Sequence, residues 1–212
     1  MWLTQRLGRS REFLKTQSEI LGAMKRFLEE KDLSKNKFGV FALAKTLLKK
    51  SERHEEQGET VLTALCVYRA LELLLQERLS LYNLTPETPL TEEQKDAMRR
   101  EIAKVVQKPE DQVQIHDKLG LFELTVLLIV RNDECVRRVF DQNRLKTLPL
   151  ALQSRNSSLL IHGFDFPSEN QTRHIKKCAE ELLKDLRVRA QVELGSNTDR
   201  YFEKLDPSFL KL

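Results

Sequence analysis

The sequence predicts an all-α fold, and three observations support this prediction. Only seven Gly and six Pro occur in 212 residues, a balance that favours helices over a sheet with many tight turns. Apolar residues recur with a period of about 3.6 residues along much of the chain, as they do in amphipathic helices. No convincing stretch alternates polar and apolar residues, although residues 124–130, LTVLLIV, would suit a strand if taken alone.

The first half of the chain is predicted to form four helices. They cover about residues 9–31, 37–57, 59–82 and 92–106. Gly58 suits the end of the second helix, and the third is so apolar that we expect it at the centre of the fold. Thr91 followed by Gln94 forms a capping-box pattern, which marks the start of the fourth helix after a connector with two prolines.

The second half continues with segments of helical periodicity. They cover residues 113–130, 133–143, about 149–163 and 168–194. Pro149 is suited to the first turn of a helix, and Gly163 to the left-handed residue that follows a last turn. The expected organisation is a helical N-terminal extension or connector at residues 1–35, a helical domain at 36–195 and a C-terminal tail at 196–212.

Composition and charge narrow the possible classes of protein. The formal net charge is +4, with 36 basic and 32 acidic residues mixed along the chain, so any site for a polyanion must be local. Cys66, Cys135 and Cys178 lie far apart, which indicates buried thiols of a reducing compartment rather than disulfides or metal ligands. No stretch approaches about 18 uninterrupted apolar residues. We therefore expect a cytoplasmic protein with no membrane segment, no metal and no cofactor.

Four polar residues form a stripe on the third predicted helix. Arg69, Glu72, Gln76 and Ser80 are spaced by three and four residues, so they share one side of a helix that is otherwise almost wholly apolar. One interpretation is a solvent-exposed seam that contains an Arg69–Glu72 ion pair. The other is that Arg69, Glu72 and Gln76 support a neighbouring polar site.

Arg155 and His162 are the candidate catalytic residues. They lie seven residues apart in the predicted helix 149–163, so they project from nearly the same side, about 10 Å apart along the helix axis. Asn156, Ser157 and Ser158 flank that side and are candidate supporting residues. The alternative is that Arg155 faces solvent and that His162 has no role beyond its position at a helix C-terminus, where the helix dipole favours a cation.

The other three histidines are predicted to have surface roles. His54 lies among charged residues, His116 precedes a predicted helix start, and His174 stands in the polar run QTRHIKK. None of them is therefore a first candidate for catalysis.

The motif and the third helix together resemble a known domain family. The stretch SRNSSLLIHGF at residues 154–164, preceded by VYRALELLLQERL at residues 67–79, is similar to the HEPN domain of CRISPR-associated type III accessory ribonucleases, the CARF–HEPN group. The resemblance extends over about residues 61–186. It implies a HEPN-like helical bundle in which an Arg-x(4–6)-His motif on one helix meets its copy across a dimer axis and forms one metal-independent ribonuclease site.

One feature of that family has no counterpart in this sequence. The CARF sensor, a Rossmann-like domain that binds cyclic oligoadenylate in the family, requires βαβ alternation, and these 212 residues contain none. The chain is therefore expected to be either the effector half alone or a separately encoded relative. The expected partner, beside RNA and a second copy of the chain, is a sensor domain or a CRISPR effector that signals by cyclic oligoadenylate.

The residues of the motif suit metal-independent RNA cleavage. Arginine stays charged and can direct two donors onto phosphate oxygens, and histidine transfers protons near neutral pH. We expect a metal-independent endoribonuclease that cuts single-stranded RNA through attack of the 2′-hydroxyl, in type III CRISPR antiviral defence. Two alternatives remain open: a HEPN toxin of a toxin–antitoxin or abortive-infection system, and a non-catalytic helical interaction module.

Overall fold

The described part of the chain consists of helices. A computed structural model describes residues 15, 18–30, 32, 33, 35–156 and 168–194, with the backbone alone at 150–156 and 191–194. Within these residues there are eight α-helices, a 3-10 turn at Glu110–Gln112, and no strand. The α-helices are α1 (residues 18–30), α2 (Lys37–Glu56), α3 (Thr60–Ser80), α4 (Glu92–Val106), α5 (Leu121–Val130), α6 (Glu134–Val139), α7 (Gln142–Asn156) and α8 (Glu169–Leu194). The all-α prediction is confirmed, and residues 124–130 lie inside α5.

Helix boundaries with clear local signals lie where the sequence predicts them. Gly58 has a φ of 73° and ends the turn after α2, where few residues other than glycine fit. The capping box before α4 is present: Thr91 Oγ1 accepts from Gln94 N at 3.3 Å, and Gln94 Oε1 accepts from Thr91 N at 2.9 Å. These signals depend on neighbours in sequence, which explains why they are reliable.

The predicted start of α7 near Pro149 is wrong. The helix begins at Gln142, and Pro149 lies inside it. Asp141 caps the true start, since its Oδ1 accepts from Arg144 N at 2.9 Å. Leu148 is fully buried, so packing of the N-terminal half stabilises the helix. Pro149 lacks an N–H group and removes one hydrogen bond from the helix interior, but this cost does not prevent helix formation here.

The contacts within the chain divide it into two units, residues 1–43 with 186–212 and residues 44–185. In the first unit, α1 and the start of α2 approach closely at Gly39. A Cβ atom there would lie 2.7 Å from Ala23 O and 2.8 Å from Phe27 Cβ, so any other residue would force the helices apart. Asn36 completes this contact: its Oδ1 accepts from Gly39 N at 3.0 Å, and its Nδ2 donates to Ala23 O at 3.3 Å.

The second unit has α3 and α5 at its core. Helix α5 packs against α3, α4, α6 and α7, and α4 also packs against α7. The largest fully buried side chains of these helices are Leu71, Leu74, Leu75, Leu79, Met98, Leu124, Leu127, Leu128 and Leu148. Each buried leucine of this kind contributes about 1.5–3 kcal/mol of transfer free energy, so the apolar faces of α3 and α5 hold the unit together. The central position predicted for the third helix is confirmed.

A buried ionic network joins three helices of the second unit. Arg78 on α3 donates from Nε and Nη2 to both carboxylate oxygens of Asp133, at 2.9 and 2.7 Å, and from Nη1 to Asp185 Oδ2 on α8 at 2.7 Å. Asp133 also caps α6 by accepting from Val136 N at 2.9 Å, and Tyr82 OH donates to it at 3.1 Å. The Asp133 side chain is completely buried. The network therefore fixes α6 and α8 against α3.

Each of the three cysteines is buried and has a free thiol. Within the described residues, no helix is long and apolar enough to cross a membrane.

Candidate active site

The predicted catalytic motif begins at the described end of α7. Arg155 and Asn156 form its last two described positions, and only their backbone is described. Ser157, Ser158 and His162 lie outside the described residues. The structure therefore puts the first part of the motif on a helix, as expected, while the roles of all five residues stay predictions.

The N-terminal half of α7 anchors the helix that carries the motif. Arg144 Nη1 donates to Glu181 Oε1 on α8 and to Val139 O, both at 2.9 Å. Leu148 is fully buried, and α7 packs against α4 and α5. Position 155 follows position 148 by two turns, or about 10 Å along the helix axis. The core therefore determines where the motif begins.

The polar stripe of α3 lies at the surface of the described structure. Arg69 Nη1 donates to Glu72 Oε2 at 2.7 Å, and these side chains are 58% and 34% exposed. Gln76 is half-buried, as is Ser80, whose hydroxyl donates to Glu77 O at 2.7 Å. An Arg69–Glu72 pair is what the solvent-exposed interpretation expects. The supporting role of Arg69, Glu72 and Gln76 stays a prediction.

The described residues form helices, α7 carries the start of the motif, and most of the chain matches a known family. A family model described as the Csm6 HEPN domain matches residues 31–186. The chain belongs to the Csm6 HEPN domain family. The resemblance inferred from residues 67–79 and 154–164 is thus confirmed, and both stretches lie within the matched region.

A relative of this HEPN chain has a name that states an activity. The protein called CRISPR system endoribonuclease Csm6, from Thermus thermophilus, is 41% identical to it over 190 residues. The match covers 89% of this chain and 40% of that protein. The chain therefore spans less than half the length of the relative.

Sequence reasoning missed the charged pair that is buried in the HEPN domain. Arg78 lies next to the polar stripe of α3, but its guanidinium turns inward to Asp133. A charged residue in an otherwise apolar helix could have indicated this pair, because charges that are buried in proteins are usually paired. Its partner Asp133 lies 55 positions further along the chain, so the local pattern could not identify it.

The surface prediction is confirmed for His116, while His54 and His174 are half-buried. His116 is exposed, and its Nδ1 lies 2.7 Å from Glu123 Oε1; this hydrogen bond raises the pKa of His116 above its usual value. His174 has a buried Nε2 with no hydrogen-bond partner in the described part of the chain. Burial, followed by the charge of Arg144, lowers the pKa of His174, so its ring is mainly neutral near pH 7. His54 is largely covered and contacts the Glu59 carboxylate.

No group of three or more His, Cys, Asp and Glu side chains in the described residues is arranged to hold a metal ion.

Proposed function

We propose that this chain is an endoribonuclease that cuts single-stranded RNA without a metal ion, in type III CRISPR antiviral defence. The observation that carries the proposal is the position of Arg155 and Asn156 on α7, a helix anchored in the core, in a member of the Csm6 HEPN family. The name of the Thermus thermophilus relative, an endoribonuclease of a CRISPR system, supports the same activity.

The motif supplies the groups that such a reaction needs. The 2′-hydroxyl oxygen attacks the neighbouring phosphorus and loses its proton to a base, while the bond to the 5′-oxygen breaks and that oxygen gains a proton. Arg155 holds the negative charge that develops on the phosphate, and His162 transfers protons. Asn156, Ser157 and Ser158 orient His162 or donate to the phosphate, and the Arg69–Gln76 side of α3 supports them.

The reaction predicts defined products. Attack by the 2′-hydroxyl should leave 2′,3′-cyclic phosphate and 5′-hydroxyl ends. The rate of cleavage should be the same with and without excess EDTA. A DNA strand of the same sequence lacks this nucleophile and should survive. Mass spectrometry of the fragments checks the ends. Fragments that carry a 5′-phosphate, or a rate that depends on added Mg²⁺ or Mn²⁺, would contradict the mechanism.

A second prediction is that two copies of the chain build one site. One Arg and one His per chain are few for two proton transfers, and an interface with two-fold symmetry duplicates each group. Cleavage should therefore fall in parallel with the dimer fraction when the protein is diluted, as measured by light scattering and by initial rates on the same samples. A solution monomer with full activity per chain would exclude this arrangement.

The activating partner is proposed to be a sensor domain or a CRISPR effector that signals by cyclic oligoadenylate. The relative extends well beyond the region that it shares with this chain, so it has room for such a domain. The buried free thiols of Cys66, Cys135 and Cys178 are consistent with action in the cytoplasm, where thiols stay reduced.

A further inference from the structure

Helices α7 and α8 flank the candidate motif in the sequence. Helix α7 ends with Arg155 and Asn156, and residues 157–168, which include His162, lead into α8. The segment that contains the motif is therefore attached at both ends to helices whose backbone is described. The position of α7 against α8 determines where this segment begins and ends.

An ion pair joins the start of α7 to the middle of α8. Arg144 Nη1 donates to Glu181 Oε1 and to Val139 O, both at 2.9 Å. Burial and, next, the charge of Arg144 lower the pKa of His174, and the same charge opposes the rise that burial causes in the pKa of Cys178. His174, Cys178 and Glu181 are spaced by four and three positions, so they share one side of α8. Arg144 therefore lies beside one defined side of α8.

The backbone of α8 is fixed next to Glu181. Asp185 follows Glu181 by one turn, and its Oδ2 accepts from Arg78 Nη1 on α3 at 2.7 Å. Arg78 also donates to Asp133, whose side chain is completely buried. This buried network holds α8 against α3, so Glu181 offers Arg144 a partner at a defined position.

The anchored start of α7 is connected to the motif by continuous helix. Position 155 lies about three turns, or about 16 Å, beyond position 144 along α7. Pro149 lies between them and removes one backbone hydrogen bond from the helix interior, so contacts with other helices matter more for holding α7 in place. A shift of the first turn against α8 therefore displaces the backbone of Arg155.

We propose that Arg144 and Glu181 are positioning residues of the ribonuclease site, because their ion pair holds the helix that carries Arg155 against α8. This inference rests on the proposed function for the reaction that it affects. A displacement of about 1 Å at a reacting group can cost about 10²-fold in rate. Loss of the ion pair should therefore lower kcat, whereas the KM for RNA should change little because the strand still binds.

A second ion pair of α8 supplies matched controls. Lys176 Nζ lies 3.1 Å from Glu55 Oε2 on α2, and these side chains are 16% and 49% exposed. The side chains of the Arg144–Glu181 pair are 27% and 37% exposed. Both pairs tie α8 to another helix of the second unit, but α2 does not carry the motif. Ion pairs with this exposure contribute little to stability, so a variant at any of the four positions should stay folded, as circular dichroism can check.

Arg144→Met and Glu181→Met should each lower kcat about tenfold and leave the KM for RNA within about twofold of the wild-type value. Lys176→Met and Glu55→Met should cleave RNA at the wild-type kcat. Each pair of residues contains one cation and one anion, so a general effect of charge on RNA binding would not give this result. The double variant Arg144→Met/Glu181→Met should lose no more activity than Arg144→Met alone, since both residues act through one contact.

Amide signals test the positioning without depending on cleavage. In ¹⁵N-labelled protein, Glu181→Met should shift the signals of Arg155 and Asn156, and Glu55→Met should leave them in place. Unshifted signals in Glu181→Met, an equal loss of kcat when either ion pair is broken, or full kcat in Arg144→Met would overturn the proposal. If wild-type protein cuts no RNA, the proposed function fails, and the amide signals still decide whether the ion pair positions the end of α7.

Discussion

Replacing Arg155 or His162 with alanine should lower the rate of RNA cleavage by about 10²–10⁴-fold. Arg155 stabilises the charge of the transition state and His162 transfers a proton, so each loss removes an interaction made mainly during the reaction. Single-turnover cleavage of a labelled RNA measures the rate. Circular dichroism melting curves measure whether the variants remain folded, which we expect because both side chains should line a polar cleft.

Two further variants control for the residue types. His116→Ala removes an exposed histidine, and Arg137→Ala removes an exposed arginine that contacts Asn132. Both should cleave RNA at the wild-type rate. Full activity of His162→Ala would remove its proton-transfer role. A folding defect in either motif variant would show that the residue is structural.

Replacing Arg78 with methionine should lower the free energy of unfolding by about 3–5 kcal/mol. Methionine fills a similar volume, but it leaves the Asp133 carboxylate buried without its cation, and the link to Asp185 on α8 is lost. Urea unfolding followed by circular dichroism measures the change. The midpoint should move to lower urea concentration.

Arg69→Met is the control for that experiment, since it removes an ion pair from the same helix. The Arg69–Glu72 pair is exposed, and exposed pairs contribute at most about 1 kcal/mol. Equal destabilisation by Arg69→Met and Arg78→Met would show that burial does not set the strength of the network. Adding Asp133→Asn to Arg78→Met should recover part of the stability, because the remaining buried group is then neutral.

The sequence predicted those parts of the fold that depend on nearby residues. The capping box of Thr91 and Gln94 and the turn at Gly58 are local signals, and both are present. The start of α7 has a local signal too, since the Asp141 carboxylate accepts from Arg144 N, but Pro149 directed the prediction seven residues further along. Pro149 is a strong local sign of a helix start, but the buried side chain of Leu148, which packs against other helices, outweighs it. Such contacts between helices cannot be predicted from the residues of a single helical turn.

The candidate site shows the same division. The family could be recognised from residues 67–79 and 154–164, because a motif and its spacing can be seen directly in the sequence. The Arg78–Asp133 pair was not, since its partners meet only after folding. His174 stands in a polar run, yet its Nε2 is buried, and the charge of Arg144 at the start of α7 acts on its ring. A periodic pattern cannot distinguish such a position from an exposed one.

The buried thiols make the chain well suited to site-specific labelling. Burial raises the pKa of Cys135 to about 11 and that of Cys178 to about 12, and it also raises the pKa of Cys66. Near pH 7 these thiols carry almost none of the reactive thiolate, so they should react slowly with maleimides and methanethiosulfonates. A spin label on a surface cysteine introduced by Lys184→Cys would then report from one known point of α8. Distances between such labels on two copies can be measured in solution with the native cysteines left in place.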